Sequence, residues 1–180
     1  MRLPLPRETF PRQIDTTRLF LRRPEEREAE LYAQQAQESC ARRESLSHDE
    51  GRAFAAFMIG HWNRYGFGFL VIDIVSDLAN PVSIGHVGFK YVDAWPNHWP
   101  GNYDEIELGY SLVPIARGKG YVTEAARAAL TAAFAAFDIS CVRAKCSQDN
   151  PKSAAVLLRC GMQEQESTDK SRRFKIERPA

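Results

Sequence analysis

The stretch IELGYSLVPIARGKGYVTEAARAALTAAFAAFDISCVRAKCS, from Ile106 to Ser147, decides the fold of this chain. Its first part, Ile106 to Val113, is apolar and rich in strand-forming residues and ends at Pro114, which predicts a strand. The alanine-rich run from Gly120 to Phe137 predicts a helix that is apolar on nearly all sides and therefore buried. Cys141 to Ser147 predicts a second strand. A strand, helix and strand in this order form a crossover unit, in which we expect a right-handed connection and two parallel strands.

The remaining elements lie on both sides of this crossover. Apolar and β-branched runs predict further strands, which are Thr16–Arg22, Gly66–Val75, Val82–Val92, Met162–Glu166 and Arg173–Ile176. Further helices are predicted at Glu25–Glu38, from Ser47 onward and at Pro151–Cys160. We therefore expect one α/β domain over residues 1–180, with a flexible or Pro-rich N-terminal segment at residues 1–13. Its mixed sheet should hold roughly six to seven strands, accompanied by about four helices.

Local signals support several of these boundaries. The helix after Ser47 opens with the capping box Ser47-x-x-Glu50. The turn-forming residues SDLANP separate Gly66–Val75 from Val82–Val92, which predicts a β-hairpin. The segment from Asp93 to Asp104 contains two prolines and a glycine and is therefore predicted to be a loop.

Composition excludes several classes of protein. With 180 residues, 44% of them hydrophobic and 26% charged, the chain is typical of a globular protein and not of a disordered or collagen-like one. The net charge of +1 gives no global field that would attract nucleic acid or a membrane surface. No apolar run approaches the ~20 residues of a membrane-spanning helix. The first residues also lack an apolar run of signal-peptide length, so we expect a cytoplasmic protein without nucleic-acid or membrane partners.

The four cysteines predict neither a disulfide framework nor a metal site. They are Cys40, Cys141, Cys146 and Cys160. Their spacing forms no C-x-x-C pair and no zinc pattern with the four scattered histidines. We therefore expect free thiols in a reducing compartment and no bound metal.

The loop PIARGKGYVTEA, residues 114–125, is the strongest candidate for a binding site. Gly118 and Gly120 flank Lys119 and allow the backbone to turn sharply and approach a ligand closely. The first N–H groups of the helix that follows lack intrahelical partners and carry the positive end of the helix dipole, which suits phosphate. Arg117 and Lys119 add two positive charges. The alternative is a plain glycine-containing loop before a helix.

Spacing excludes two other phosphate-binding motifs. A P-loop requires a glycine at the position of Val113 and Ser or Thr after its lysine, but Gly120 follows Lys119. The dinucleotide motif G-x-G-x-x-G requires a third glycine where Thr123 stands.

The chain resembles the GNAT N-acetyltransferases. Arg117-Gly118-Lys119-Gly120-Tyr121-Val122 is similar to the phosphate-binding signature of that family, Q/R-x-x-G-x-G/A. Five segments occur in the order and spacing of the branch that acetylates ribosomal-protein N-termini, and these are TTRLFLR, GHWNRYGFGFLVI, SIGHVGF, ELGYSLVPIARGKGYVTEA and DNPKSAAVLLRCGM. The resemblance implies the GNAT fold, in which acetyl-CoA lies between two parallel strands that splay apart at a bulge. These strands would be Ile106–Val113 and Cys141–Ser147.

The resemblance also implies which residues contact the donor. Backbone N–H groups of the signature loop would hold the pyrophosphate, and no metal would be needed. The residues implied to bind acetyl-CoA are Ser111, Leu112, Val113, Arg117, Gly118, Lys119, Gly120, Tyr121, Val122, Thr123, Asn150 and Ser153.

Two positions depart from the pattern of the family. Val122 is larger than the usual Gly or Ala, which narrows the approach of the helix to the pyrophosphate. Leu157 stands where many members carry a tyrosine that protonates the leaving thiolate. The ribosomal-protein branch instead has a serine three residues after the asparagine that matches Asn150, and Ser153 fits this pattern.

Acetyl transfer to an amine requires a base, a donor for the oxyanion and an acid for the leaving thiolate. Glu107 in ELGY is the candidate base, acting directly or through a water, and the alternative is a solvated or ion-paired strand carboxylate. The oxyanion donor should be a backbone N–H near Ser111 or Leu112, freed by the bulge. Ser153 should hydrogen-bond the thiol sulfur, unless it only caps its helix.

The acceptor side should be formed by the helix after Ser47, the hairpin and the loop from Asp93 to Asp104. Its candidate residues are Trp62, Tyr65, Phe67, His86, Trp95, His98 and Trp99. Aromatic residues at such positions also occur as core residues, which is the alternative here. His86 and His98 are alternative bases.

These observations predict an acetyl-CoA-dependent N-acetyltransferase that acts on a primary amine, with the N-terminal α-amine of a protein favoured. One alternative acceptor is a small amine such as an antibiotic, a polyamine or an amino acid. A non-catalytic acyl-CoA-binding module is a different class, and the retained Glu107 and Ser153 argue against it. The oligomeric state stays open, a homodimer included.

Overall fold

The computed structural model describes residues 9–25, 28, 48–75, 81–91 and 105–179. Four features predicted from the sequence lie outside these residues wholly or in large part. They are the helix Glu25–Glu38, the capping residue Ser47, the SDLANP turn and the loop Asp93–Asp104.

Eight strands form one sheet, and three α-helices of the described residues pack against it. The strands are β1 (Gln13–Asp15), β2 (Leu19–Arg22), β3 (Phe69–Ile74), β4 (Val82–Tyr91), β5 (Glu105–Leu112), β6 (Cys141–Ser147), β7 (Gln163–Glu164) and β8 (Ser171–Glu177). The helices are α1 (His48–Tyr65), α2 (Tyr121–Ala136) and α3 (Pro151–Arg159). The strand order is β1-β2-β3-β4-β5-β6-β8-β7. Only the β5–β6 pair of this sheet is parallel, which confirms the predicted mixed sheet and the predicted crossover strands.

The strand that the sequence prediction missed is β1. It has three residues and follows Pro11, so it is too short for an alternating pattern to be visible. Gln13 pairs with Arg22 of β2. Phe10, just before β1, is buried, and its ring stacks on Phe137 at 5.5 Å between centroids. Phe10 and Gln13 of the N-terminal segment are therefore in contact with the core and with the sheet.

The two faces of the sheet differ because side chains alternate along each strand. On one face, here called the core face, residues such as Leu70, Val87 and Leu108 pack with the buried alanines of α2 into the main hydrophobic cluster. The opposite face, here called the polar face, is covered by α1 only in part, through a small cluster with β3 that includes Met58 and Val71. Farther along the polar face the strands carry charged side chains. None of the described helices is long and apolar enough to cross a membrane.

The parallel strands β5 and β6 pair over only part of their length. Their register begins with Glu105 opposite Cys141 and ends with Leu108 opposite Ala144. However, β5 continues to Leu112, and β6 continues in register with β8 to its own last residue. The two strands therefore separate beyond Leu108 and leave an opening at the end of β5.

The predicted bulge in β5 is wrong. The register of β5 with β4 runs continuously from Ile106 opposite Tyr91 to Leu112 opposite Gly85. The register shift occurs between β3 and β4, at Ile72 and Asp73. The opening forms without a bulge because β5 follows β4 while β6 follows β8, so that two halves of the sheet diverge.

Candidate functional site

The loop between β5 and α2 places the start of α2 beside the opening. Gly118 has a φ of +77° and Gly120 a φ of +80°. Residues other than glycine rarely adopt this left-handed backbone conformation. Gly120 precedes the helix, whose first turn receives no side-chain cap from it. The N–H groups of Tyr121, Val122 and Thr123 therefore have no intrahelical acceptor and can bind an anion.

The two cations of this loop are placed differently. The Nε of Arg117 donates to the carbonyl oxygen of Leu112 at 3.0 Å, so this side chain folds back onto the end of β5. Lys119 lies on the exposed part of the loop. Arg117 therefore ties the loop to the opening, while Lys119 extends into solvent.

Backbone N–H groups of β5 face the opening at alternate residues. Val113 donates its N–H to the carbonyl oxygen of Ile84 at 2.9 Å. In an antiparallel ladder hydrogen-bonded pairs alternate, so Ser111 also directs its N–H toward β4. The N–H groups of Tyr110 and Leu112 then point the other way, toward β6. Of the two residues predicted for the oxyanion donor, Leu112 has its N–H in the opening and Ser111 does not.

Ser153 lies at the start of α3, on the other side of the opening. The Oδ1 of Asn150 accepts the backbone N–H of Ser153 at 3.0 Å and caps this helix. The hydroxyl of Ser153 is therefore not needed to cap α3. Leu157, at the position of the tyrosine found in many members of the resembling family, is buried in the core.

Tyr110 joins Ser153 across the opening, which the sequence analysis did not predict. Its Oη lies 3.0 Å from the carbonyl oxygen of Ser153, to which it donates, and 2.9 Å from the Oγ of Ser153. Burial raises the pKa of Tyr110, and the hydrogen bond with Ser153 opposes this only in part. The phenol therefore remains protonated. Tyr110 lies on the same face of β5 as Leu108 and Leu112, so the alternating pattern of the strand predicts a core residue at this position.

Glu107 lies on the polar face and is held between two lysines. Its Oε1 is 3.1 Å from the Nζ of Lys90, the residue opposite it on β4. Its Oε2 is 3.9 Å from the Nζ of Lys145 and makes no hydrogen bond with the described residues. The side chain of Glu107 is 7% exposed and that of Lys145 is 32% exposed. The structure therefore shows Glu107 as an ion-paired strand carboxylate.

The aromatic residues predicted for the acceptor side are mostly core residues. Trp62 and Phe67 are buried in the main cluster, and the Nε1 of Trp62 donates to the carbonyl oxygen of Phe69 at 2.6 Å. Tyr65 is half-buried and packs edge-on against Tyr91 at 5.0 Å. Trp95, Trp99 and His98 lie outside the described residues.

His86 is also buried, on the polar face opposite Ser111. Its ring lies 5.4 Å from that of Phe54 and 5.5 Å from that of Phe69. Burial lowers the pKa of His86 to about 4, so its imidazole is neutral at neutral pH.

Comparisons with known proteins agree with this geometry. The family model of the acetyltransferase (GNAT) domain matches residues 18–163. No curated protein matches the sequence. An acetyltransferase structure from Agrobacterium tumefaciens is 25% identical, with a TM-score of 0.73 over 92% of this chain and 94% of that chain.

Two other solved structures share the fold at lower identity. RimL, a ribosomal-protein α-N-acetyltransferase in complex with coenzyme A, is 20% identical, with a TM-score of 0.70 over 94% of this chain and 98% of that chain. A spermidine N-acetyltransferase chimera from Vibrio cholerae and hSSAT is 18% identical, with a TM-score of 0.69 over 89% of this chain and 95% of that chain. Since the family model spans both strands of the opening, the loop between them and α3, the chain belongs to the GNAT acetyltransferase family and is an N-acetyltransferase.

Proposed function

We propose that the protein transfers an acetyl group from acetyl-CoA to a primary amine, and that the N-terminal α-amine of a protein is the favoured acceptor. The observation that carries this proposal is the opening between β5 and β6, flanked by the start of α2 and by Ser153. RimL, which shares the fold, acts on a protein α-amine. The spermidine enzyme shares the fold as well, so a small amine is the second outcome to test.

The residues of the opening fit the donor. Acetyl-CoA, when bound, supplies the thioester whose acetyl group moves to the amine. The positive φ of Gly118 and Gly120 favours glycine at both positions, and without side chains there the N–H groups at the start of α2 can contact the pyrophosphate. The pantetheine arm would then pass between β5 and β6 toward Glu107.

Glu107 is the group that we propose to accept a proton from the attacking nitrogen, directly or through a water. The ammonium groups of Lys90 and Lys145 lie 3.1 Å and 3.9 Å from its carboxylate oxygens. They repel a protonated amine, so the neutral form of the acceptor is favoured beside the carboxylate. This arrangement supports a base that acts on an amine already bound in its neutral form.

The backbone N–H of Leu112 is the proposed donor to the negative charge that develops on the carbonyl oxygen. It points into the opening and needs no rearrangement to donate there. Ser153 is proposed to give its hydroxyl proton to the leaving sulfur. The Oη–H of Tyr110, 2.9 Å from the Oγ of Ser153, can turn from the carbonyl oxygen of Ser153 and donate a hydrogen bond to the Oγ as it loses its proton, and the Oγ regains a proton from solvent before the next turnover, which makes Tyr110 and Ser153 one relay.

The test is a thiol-release assay with acetyl-CoA against a panel of N-terminal peptides and small amines. Acetylated peptides with a modified α-amine support the proposal. Release with polyamines or amino acids alone assigns a small-molecule acceptor instead. Tight CoA binding without thiol release on any amine favours the non-catalytic module.

A further inference from the structure

We propose that Arg18 is a positioning residue that sets the peptide plane of the phosphate-binding loop, and that Glu124 holds Arg18 in place. This inference rests on the proposed function, because it assigns to Arg18 an effect on binding of the donor's pyrophosphate. Arg18 lies just before β2, 101 residues from Lys119 in sequence. It is not part of the loop itself.

Arg18 reaches the loop through a set of hydrogen bonds that leaves its guanidinium little freedom. Its Nη1 donates to the carbonyl oxygen of Lys119 at 3.0 Å. Its Nε donates to the Oε2 of Glu124 at 2.7 Å, and its Nη2 lies 2.7 Å from the same oxygen. The Oε1 of Glu124 accepts the backbone N–H of Arg18 at 2.9 Å and the hydroxyl of Thr16 at 2.7 Å. Both oxygens of one carboxylate thus hold Arg18.

The contact with Lys119 fixes the direction of a neighbouring N–H group. In a trans peptide the C=O of one residue and the N–H of the next point in opposite directions. Arg18 holds the carbonyl oxygen of Lys119 on its own side, so the N–H of Gly120 must point to the other side. The guanidinium also lies 4.7 Å from the centre of the Tyr121 ring, which holds the first residue of α2 from the same side.

Arg18 also neutralises a negative charge that lies close to the phosphate-binding loop. Glu124 lies in the first turn of α2, where its negative charge would repel an anionic ligand. Partial burial raises the pKa of Glu124, but hydrogen bonds from Thr16 and Arg18 and the charge of Arg18 outweigh this and lower it. The carboxylate is therefore ionised, and the guanidinium neutralises it. The positive end of α2 stays available to phosphate.

A role in positioning can be separated from a role in folding, because the Arg18 side chain is 46% exposed. Exposed ion pairs contribute little to stability. Arg172 offers a matched control, since it also donates Nε and Nη2 to one carboxylate, that of Glu164, and lies over an aromatic ring, that of Phe174. This second pair joins β7 and β8 at the far edge of the sheet.

The experiment measures ligand binding in Arg18→Ala, Arg18→Lys, Arg172→Ala and the wild type. Calorimetry gives the affinity for CoA, and an NMR titration gives the affinity for pantetheine, which lacks the pyrophosphate. We expect Arg18→Ala to bind CoA about tenfold more weakly, the effect of one lost charge-assisted hydrogen bond. Pantetheine affinity should stay within about twofold. Arg18→Lys keeps the charge that neutralises Glu124 but not the two-pronged geometry, so it should bind CoA more weakly than the wild type and more tightly than Arg18→Ala. Arg172→Ala should bind both ligands like the wild type.

Four results overturn this role. Equal losses for CoA and pantetheine in Arg18→Ala would show a general structural effect. Full recovery of CoA affinity in Arg18→Lys would show that charge alone matters. Unchanged CoA affinity in Arg18→Ala, with tight binding by the wild type, would refute the role of Arg18 and leave the proposed function intact. A wild-type protein that binds no CoA would overturn both.

Discussion

Replacing Glu107 by glutamine tests the proposed base most directly. The change keeps the shape of the side chain and removes its charge, so the proton acceptor is lost. A general base of this kind contributes about 10² to 10⁴ in rate, and we expect kcat to fall by that factor at pH 7 with the best acceptor of the panel. CoA affinity should change by less than about twofold, because the loop is not altered. Raising the pH should restore part of the rate, because solvent hydroxide can then accept the proton of the attacking nitrogen.

The structure also predicts a stability cost for this substitution. Glutamine leaves the buried Nζ of Lys90 facing a neutral amide, which we expect to lower the free energy of unfolding by about 2 kcal/mol. Glu105→Gln is a matched control, because Glu105 lies two residues earlier on the same face of β5 and is ion-paired with Arg143. It should lose similar stability in urea denaturation while keeping kcat near the wild-type value. A wild-type kcat in Glu107→Gln, or an equal loss of kcat in Glu105→Gln, would refute the assignment.

Three further predictions concern the loop, the relay and the buried histidine. Gly120→Ala should weaken CoA binding in calorimetry by about tenfold through strain at positive φ, whereas Gly66→Ala, with φ +74° at the turn after α1, should bind CoA normally. Tyr110→Phe should lower kcat by about tenfold, and combining it with Ser153→Ala should be no worse than the more impaired single variant if the two residues form one relay. His86, with a pKa lowered to about 4, stays neutral in the fold while the unfolded chain takes up a proton below pH 6.5. The protein should therefore lose about 3 kcal/mol of stability between pH 6.5 and 4, and His86→Gln should flatten this dependence in urea denaturation at several pH values.

The fold could be predicted largely because its signals are local. The strand periods, the alanine-rich α2 and the glycines of the loop each occupy a continuous stretch of sequence. The asparagine cap of α3 is local as well, since Asn150 and Ser153 are three residues apart. β1 escaped prediction because three residues carry no period, and its place is set by pairing with β2.

The parts of the site that the sequence did not reveal depend on contacts between distant residues. Lys90 faces Glu107 only because the hairpin strand β4 pairs with β5 in one particular register. Arg18 meets Lys119 and Glu124 across more than a hundred residues. Trp62 is an aromatic residue of the kind expected to contact the acceptor, but it packs in the core of the protein. Pattern alone does not distinguish these two environments for an aromatic side chain.

The surroundings of the two candidate bases among the described residues favour Glu107 over His86. A proton taken from the acceptor must leave for solvent before the next turnover. His86 packs against the rings of Phe54 and Phe69, and burial makes its charged form unfavourable, so its imidazole is a weak base. Glu107 adjoins Lys145, whose side chain is one-third exposed, and a proton on the carboxylate can reach water at this edge. A replacement of His86 that preserves folding should therefore leave the pH profile of kcat unchanged, whereas Glu107→Gln should shift it toward higher pH.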